Sequence, residues 1–171
     1  MVVFKDYNFL SYVFLATAVI LLAGYAHGAG LCDNSPNKQV CYSIVYKRTD
    51  PGEASVAAVH KLINQTKVAK AVAQRQNKSA EITECITLFN GAILNTRDIL
   101  AKLDAGNYTE ANSFFISAEN KFLGCDEWFS DAGKTNPIAK STKLLIDMAK
   151  VGAYLTTLIK WKRFCELYVI K

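Results

Sequence analysis

Apolar residues recur at steps of three and four over four long stretches of the chain, the spacing that places them on one face of an α-helix. The clearest stretch runs from Ala80 to Leu103, and the next runs from Tyr108 to Phe129. Between them Gly106 suits a left-handed helix C-cap. The predicted inward positions are Cys85, Leu88, Phe89, Ala92, Thr96, Ile99, Leu100 and Leu103 in the first helix, and Tyr108, Ala111, Phe115, Ala118, Phe122, Cys125 and Phe129 in the second.

Two further helices flank this pair. One runs from Glu53 to about Gln76, with Val56, Val59, Ile63 and Ala73 inward. The other is predicted to begin at Pro137, capped by Asn136 or Thr135. Its inward face carries Ser141, Leu145, Met148, Gly152, Leu155 and Ile159. Strand signals are weak, so four helices joined by short loops predict an all-α, antiparallel, up-and-down four-helix bundle.

The N-terminal residues have the pattern of a targeting segment. An apolar run, Val13 to Ala23, with Thr17 as its one polar residue, follows a short start that carries only Lys5 and Asp6 as charges and precedes small residues up to Gly30. This pattern predicts a secretory signal over residues 1–30, with cleavage after Gly28 or Gly30. The run is shorter than the roughly 20 apolar residues that span a membrane, so an uncleaved anchor is the weaker alternative. We therefore expect a secreted, extracellular protein with one bundle domain over residues 31–160 and a basic, aromatic tail over 161–171.

The charge balance argues against nucleic acid as a partner. Lys and Arg number 20 and Asp and Glu 15, which gives a net charge of +5. Outside the C-terminal tail no basic run is interleaved with aromatic residues, and no nucleic-acid-binding motif occurs. A polyanion such as pectin could be attracted weakly, but cations at the C-terminus, from Lys160 to Lys171, are more simply a solvated end of the chain.

All five cysteines follow the predicted leader, and a secreted context makes disulfides the default. Counting alone leaves every pairing open, with any one of the five unpaired. Cys85 lies near the start of one helix and Cys125 near the end of its antiparallel neighbour, so a bridge there is natural and is worth roughly 4 kcal/mol. Cys32 and Cys41 are close enough in sequence for a local bridge. Cys165 is then left as a free thiol or as a link between two copies of the chain.

Several short sequence motifs, taken in their order along the chain, resemble those of the plant invertase and pectin methylesterase inhibitor family from Cys32 to about Ile159. They are CDNSPNKQVC at the start, Gly106-x-Tyr108-x-x-Ala111, Ile116-Ser117-Ala118, and Cys125-Asp126 with Phe129. The resemblance implies a four-helix bundle with a short N-terminal helical extension and Cys32–Cys41 and Cys85–Cys125 bridges. It also implies one-to-one binding to a target enzyme, without a reaction or cofactor of the inhibitor's own.

The resemblance also bears on the target. Members directed at invertase carry Pro-Lys-Phe where this chain has Tyr108, Thr109 and Glu110. An acidic Glu110 would repel the carboxylate that such a cation meets. We therefore expect pectin methylesterase as the partner, with acid invertase (β-fructofuranosidase) as the alternative. The candidate contact surface is the outward face of the second and third bundle helices, with Asn95, Asp98 and Lys102 beside the tripeptide positions, although such residues are often ordinary solvated positions.

Other functions have less support. His60 is the one histidine outside the leader, so a catalytic triad would have to use it. Zinc sites need several Cys or His ligands at short spacing, which the sequence lacks, and we predict no catalytic residue, metal or cofactor. A non-inhibitory bundle that holds an apolar ligand is a further alternative, lined by Phe89, Phe114, Phe115, Phe122 and Phe129. Asn64, Asn77 and Asn107 begin N-glycosylation sequons.

Overall fold

The structure is a computed structural model that describes residues 29–169, with the surroundings of side chains described for residues 30–160. Except for its last two residues, the predicted leader lies outside the described range. The helices in chain order are α1 (Ala29–Cys32), α2 (Lys38–Val45), α3 (Pro51–Gln74), α4 (Ala80–Asp104), α5 (Tyr108–Asp131) and α6 (Ala139–Val169), and the described residues contain no strand. Helices α3 to α6 form the bundle, with α1 and α2 as its N-terminal extension, which confirms the predicted fold class.

Polar caps determine where the helices begin. Asp50 accepts hydrogen bonds from the backbone N–H groups of Gly52 and Glu53, at 2.8 and 3.0 Å, and Pro51 occupies the first helical position of α3. Ser79 and Asn107 cap α4 and α5 in the same way. Such caps supply acceptors for N–H groups that have no partner inside the helix. Gly106 has φ of 71°, as the predicted left-handed C-cap requires.

The start of α6 differs from the prediction by two residues. Pro137 and Ile138 form a turn, and the α-helix begins at Ala139. The Asn136 side chain accepts a hydrogen bond from the Ile138 N–H at 2.8 Å, while the Asn136 carbonyl accepts one from the Ala139 N–H at 3.3 Å. This bonding produces a tight turn of the kind that often precedes an α-helix.

The core is the interior of the bundle. Phe89, Phe115 and Phe122 are completely buried, and the rings of Phe89 and Phe122 lie 6.1 Å apart at a tilt of 56°. Most of the predicted inward positions are buried; those that are only half-buried lie at the flanks of their helices, namely Val56, Leu88, Leu100, Tyr108 and Ser141. Gly152 of α6 lies directly against the Phe115 ring, so a residue without a side chain allows these two helices to approach.

Both predicted disulfides are present. Cys85–Cys125 joins α4 to α5 and Cys32–Cys41 joins α1 to α2, with Cα–Cα distances of 4.7 and 5.7 Å. Helix α6 continues to Val169 and so includes most of the segment predicted as a tail, whose boundary at residue 160 stays a prediction. The side chain of Cys165 lies outside the described ones, so both interpretations of this thiol remain predictions. Across residues 29–169 no helix is long and apolar enough to cross a membrane.

Candidate partner-binding surface

Helices α4 and α5 run antiparallel and meet at a seam that is open to the outside of the bundle. The buried Cys85–Cys125 bridge lies near one end of the helix pair. Along the seam Leu88 packs over Gly124 and Lys121 over Gly91, followed by a hydrogen bond from Asn95 to Ser117 (2.7 Å) and an ion pair between Lys102 and Glu110 (3.0 Å). The disulfide and these contacts hold the two helices in one register.

The sequence-predicted contact residues lie along one half of this seam. Asn95 and Lys102 are seven residues apart, which is about 10 Å along a helix. Asp98 lies between them, is exposed, and forms no ion pair within the described part of the chain. Thr109 is exposed at the start of α5. Tyr108 is only half accessible, because its ring packs against the core. The structure thus brings Asn95, Asp98, Lys102, Thr109 and Glu110 onto one surface, with Tyr108 at its inner margin.

Glu110 is tied into the chain by two groups. Its carboxylate pairs with the Lys102 ammonium and accepts a hydrogen bond from the Asn107 amide at 2.7 Å. The Asn107 side chain in turn accepts a hydrogen bond from the Glu110 N–H at 3.2 Å. Asn107 thus acts as the N-cap of α5 and also donates to the side chain three residues later, so both bonds order the first turn of the helix. The start of α5 therefore presents a compensated ion pair instead of an isolated charge.

The same helices also expose apolar side chains that the sequence pattern does not predict to be exposed. Leu94 on α4 is 59% exposed and directly precedes Asn95, whereas Ile116 on α5 is 45% exposed and directly precedes Ser117. Leu123 lies seven residues after Ile116, on the same side of α5, and Trp128 lies near the far end of the seam; both are exposed. We call these four residues, together with Asn95, Asp98, Lys102, Thr109, Glu110 and Ser117, the α4–α5 outer face. In the sequence, these exposed positions are marked only by an apolar residue that does not follow the three- and four-residue spacing of the buried face.

The composition of the α4–α5 outer face is suited to binding a macromolecule. Exposed large apolar residues on a surface that also carries hydrogen-bonding groups are typical of protein interfaces, where aromatic and aliphatic anchors contribute most of the affinity. The described residues contain no group of three or more His, Cys, Asp and Glu side chains placed to hold a metal ion. The side chains of this face provide apolar contacts, hydrogen-bonding groups and one ion pair.

The alternative sites have weaker geometry. His60 is exposed on α3 in an open groove lined by Arg48, Glu53, Val56 and Ala57, a set that contains no hydroxyl or thiol nucleophile. Of the five phenylalanines proposed to line a ligand cavity, Phe89, Phe115, Phe122 and Phe129 are buried in the core and Phe114 is half-buried. Asn64, Asn77 and Asn107 are all exposed, so their sequons are accessible, and their glycosylation stays a prediction.

Comparisons with known proteins add a likeness in fold. No protein-family model matches the chain, and no curated protein matches it significantly. Among solved structures, it is similar to the crystal structure of mutant form A of a pectin methylesterase inhibitor from Arabidopsis, with a TM-score of 0.64 and 11% sequence identity. The similarity covers 75% of this chain and 94% of that chain. At 11% identity the comparison establishes architecture alone: the chain has the helical fold of that inhibitor.

Proposed function

We propose that the protein is a secreted inhibitor of a pectin methylesterase, which it blocks by one-to-one binding without carrying out a reaction itself. The observation that carries this proposal is the α4–α5 outer face. Its apolar residues Leu94 and Ile116 flank an ordered polar pair on helices whose register the Cys85–Cys125 bridge fixes. A face that is already ordered loses little conformational entropy when a partner binds.

Two further observations support the proposal. The solved structure with a similar fold is named as a pectin methylesterase inhibitor. The two disulfides are typical of an oxidising, extracellular environment, in agreement with the leader predicted over residues 1–30. The identity of the target enzyme and the secretion of the protein are inferred from these features together with the sequence motifs that resemble the inhibitor family.

Acid invertase is the alternative target. The tripeptide of invertase-directed relatives is absent, and the positions that replace it include Glu110, whose carboxylate is bonded to Lys102. The start of α5 therefore offers no free cation to an active-site carboxylate, which favours the esterase as the partner.

The test is a residual-activity assay of the secreted, purified protein with pectin methylesterase and acid invertase side by side. We expect the esterase to lose activity and the invertase to keep it. In the same assay Leu94→Glu and Ile116→Glu should each weaken esterase inhibition about tenfold or more, as loss of an interface anchor does. Leu144→Glu, at an exposed leucine on α6, is the matched control and should leave inhibition unchanged.

Each other outcome contradicts a stated part of the proposal. Inhibition of invertase alone would make the choice of target wrong. Equal losses for Leu94→Glu and Leu144→Glu would show that the α4–α5 outer face is not the contact surface. If neither enzyme is bound or slowed, the chain has the fold without the inhibitory function.

A further inference from the structure

The net charge of the protein originates in one segment. Residues 54–80 contain five cations, Lys61, Lys67, Lys70, Arg75 and Lys78, and no Asp or Glu. The rest of the chain carries 15 Lys and Arg residues and 15 Asp and Glu residues, so the whole charge of +5 belongs to this segment. The cations near the C-terminus, from Lys160 to Lys171, are balanced by acidic residues elsewhere in the chain.

The structure places this segment on the side of the bundle formed by α3 and the loop after it. Positions 60, 64, 67, 71 and 74 of α3 follow one another at steps of three and four, and all are exposed. Lys67 and Arg75 are exposed on this side, about 12 Å apart along the helix axis. Lys78 is exposed in the loop before α4, and Lys70 is half-buried beside Lys67. We call His60, Asn64, Lys67, Lys70, Arg75 and Lys78 the α3 basic face.

The cations of the α3 basic face lack carboxylate partners in the part of the chain that the structure describes. The ion pairs there involve the lysines at positions 102, 134, 143 and 150, none of which lies on α3. Helix α2, which packs against α3, has no acidic residue. Lys61 is used differently, because its ammonium donates a hydrogen bond to the Ser43 carbonyl. Unpaired cations that share a surface raise the local positive potential and attract a polyanion.

We infer that the α3 basic face binds a linear polysaccharide that carries uronate carboxylates, such as de-esterified pectin. The face follows the outside of a helix 24 residues long, so its shape fits an extended chain better than a compact ligand. The exposed amide of Gln74, in the last turn of α3, can form hydrogen bonds with sugar hydroxyl groups. The polymer would lie along α3, with its carboxylates near Lys67, Arg75 and Lys78.

Two other polyanions fit this face less well. Single-stranded nucleic acid is usually held by stacking of bases on aromatic side chains, and residues 54–80 contain no aromatic side chain except the imidazole of His60. A helix that binds a membrane surface inserts an apolar face, whereas α3 exposes one large apolar residue, Val68, and buries Val59, Leu62 and Ile63 in the bundle. The remaining attraction is between cations and a solvated, hydroxylated polyanion.

This inference goes beyond the proposed function and rests on it only for the choice of a uronate polymer. A pectin methylesterase converts neutral methyl esters into carboxylates, so the polymer that it leaves behind carries the charge that the α3 basic face attracts. Binding would hold the inhibitor near polymer on which the esterase has acted. The α3 basic face and the α4–α5 outer face share no residue, so the two activities can be tested separately.

The test measures the affinity of the protein for fluorescently labelled polygalacturonate by anisotropy, over a series of NaCl concentrations and without any esterase. All proteins carry Asn64→Gln and Asn77→Gln, which keeps glycans off the face. The triple variant Lys67→Gln, Arg75→Gln, Lys78→Gln should bind about tenfold or more weakly, with a salt dependence shallower by about 2–3 in log–log slope. The control Lys38→Gln, Lys47→Gln, Lys140→Gln removes the same charge at exposed positions elsewhere and should change the affinity less than about twofold.

Three outcomes would overturn the inference. Equal losses for the two triple variants would mean that net charge alone is responsible. Equal affinity for fully methyl-esterified pectin would exclude carboxylate recognition. Tighter binding to single-stranded DNA or to anionic lipid vesicles, lost in the same variant, would assign the face to another class of partner. Esterase inhibition measured with the α3 variant should be unchanged, so failure of this inference and failure of the proposed function are distinguishable.

Discussion

The contact between Gly152 and Phe115 gives the sharpest stability prediction. A β-carbon built on Gly152 would lie 2.2 Å from Cε1 of Phe115 and 2.6 Å from both Cδ1 and Cζ. Phe115 has no exposed surface, so its ring cannot move out to solvent. Gly152→Ala should therefore force α5 and α6 apart or push the ring away from its preferred rotamer.

The magnitude follows from two opposing effects. Carbon atoms pack best at about 3.5–4.0 Å, so the added methyl group overlaps the ring by more than about 1 Å. Overpacking in a core costs typically about 1–3 kcal/mol, and this overlap belongs at the upper end. Alanine in place of glycine inside a helix contributes about 1 kcal/mol in the other direction. We expect a net loss of about 2 kcal/mol in the free energy of unfolding, or roughly 8 °C in Tm for a domain of this size.

The assay is urea unfolding of the oxidised protein, followed by circular dichroism. Gly124→Ala is the matched control, because its β-carbon would meet Leu88 at an ordinary 3.4 Å. This variant should gain up to about 1 kcal/mol from helix propensity. Adding Phe115→Leu should cost less in the Gly152→Ala background than in the wild type, because the smaller side chain relieves the overlap. The reasoning would be refuted if the Gly152→Ala protein were as stable as the wild type. It would also be refuted if the losses of unfolding free energy for Gly152→Ala and Phe115→Leu were additive in the double variant.

Three further predictions concern an ion pair, a disulfide and a helix cap. A hydrogen bond from the Lys134 ammonium at 2.8 Å is the main reason that the pKa of Glu81 falls from 4.5 to about 2, although burial opposes the shift. The ionised carboxylate therefore contributes stability above pH 4.5 that is lost as the pH falls towards 2, and Glu81→Gln should flatten the dependence of unfolding free energy on pH in that range. Replacing Cys85 and Cys125 together by alanine should cost roughly 4 kcal/mol in urea unfolding, and an unchanged midpoint would contradict the cross-link argument. Asp50→Ala should cost about 1–2 kcal/mol, whereas Asp50→Asn should keep most of the cap; equal losses would show that charge, and not the hydrogen bond, matters.

Local signals located the helices well. The predicted spans Ala80–Leu103 and Tyr108–Phe129 are observed as Ala80–Asp104 and Tyr108–Asp131. The reason is that hydrophobic periodicity and capping residues act over a few turns and can be read from neighbours in the sequence. The predicted bridge between Cys85 and Cys125 is confirmed. It was predictable because antiparallel packing of consecutive helices brings these two cysteines to the same end of the bundle.

The candidate surface was predictable only in part. Asn95, Asp98 and Lys102 are spaced by three and four residues, which placed them on one side of a helix. The structure brings Glu110 beside Lys102. The exposure of Leu94 and Ile116 was not predicted, since a periodic pattern marks which residues face inward without showing how far the neighbouring helix covers the rest. The hydrogen bond between Asn95 and Ser117 likewise depends on the register of two helices.

By itself the sequence determined the order of the four long helices, the bounds of the middle two to within two residues, the inward faces of all four and the concentration of cations in residues 54–80. These properties depend on composition and on spacing within a single helix. The tertiary structure alone decided that Gly152 meets Phe115, that Glu81 meets Lys134, and that the cations of α3 form no ion pair within the described part of the chain. These contacts join residues far apart in the chain, and their geometry depends on the register and separation of packed helices, which no local pattern encodes.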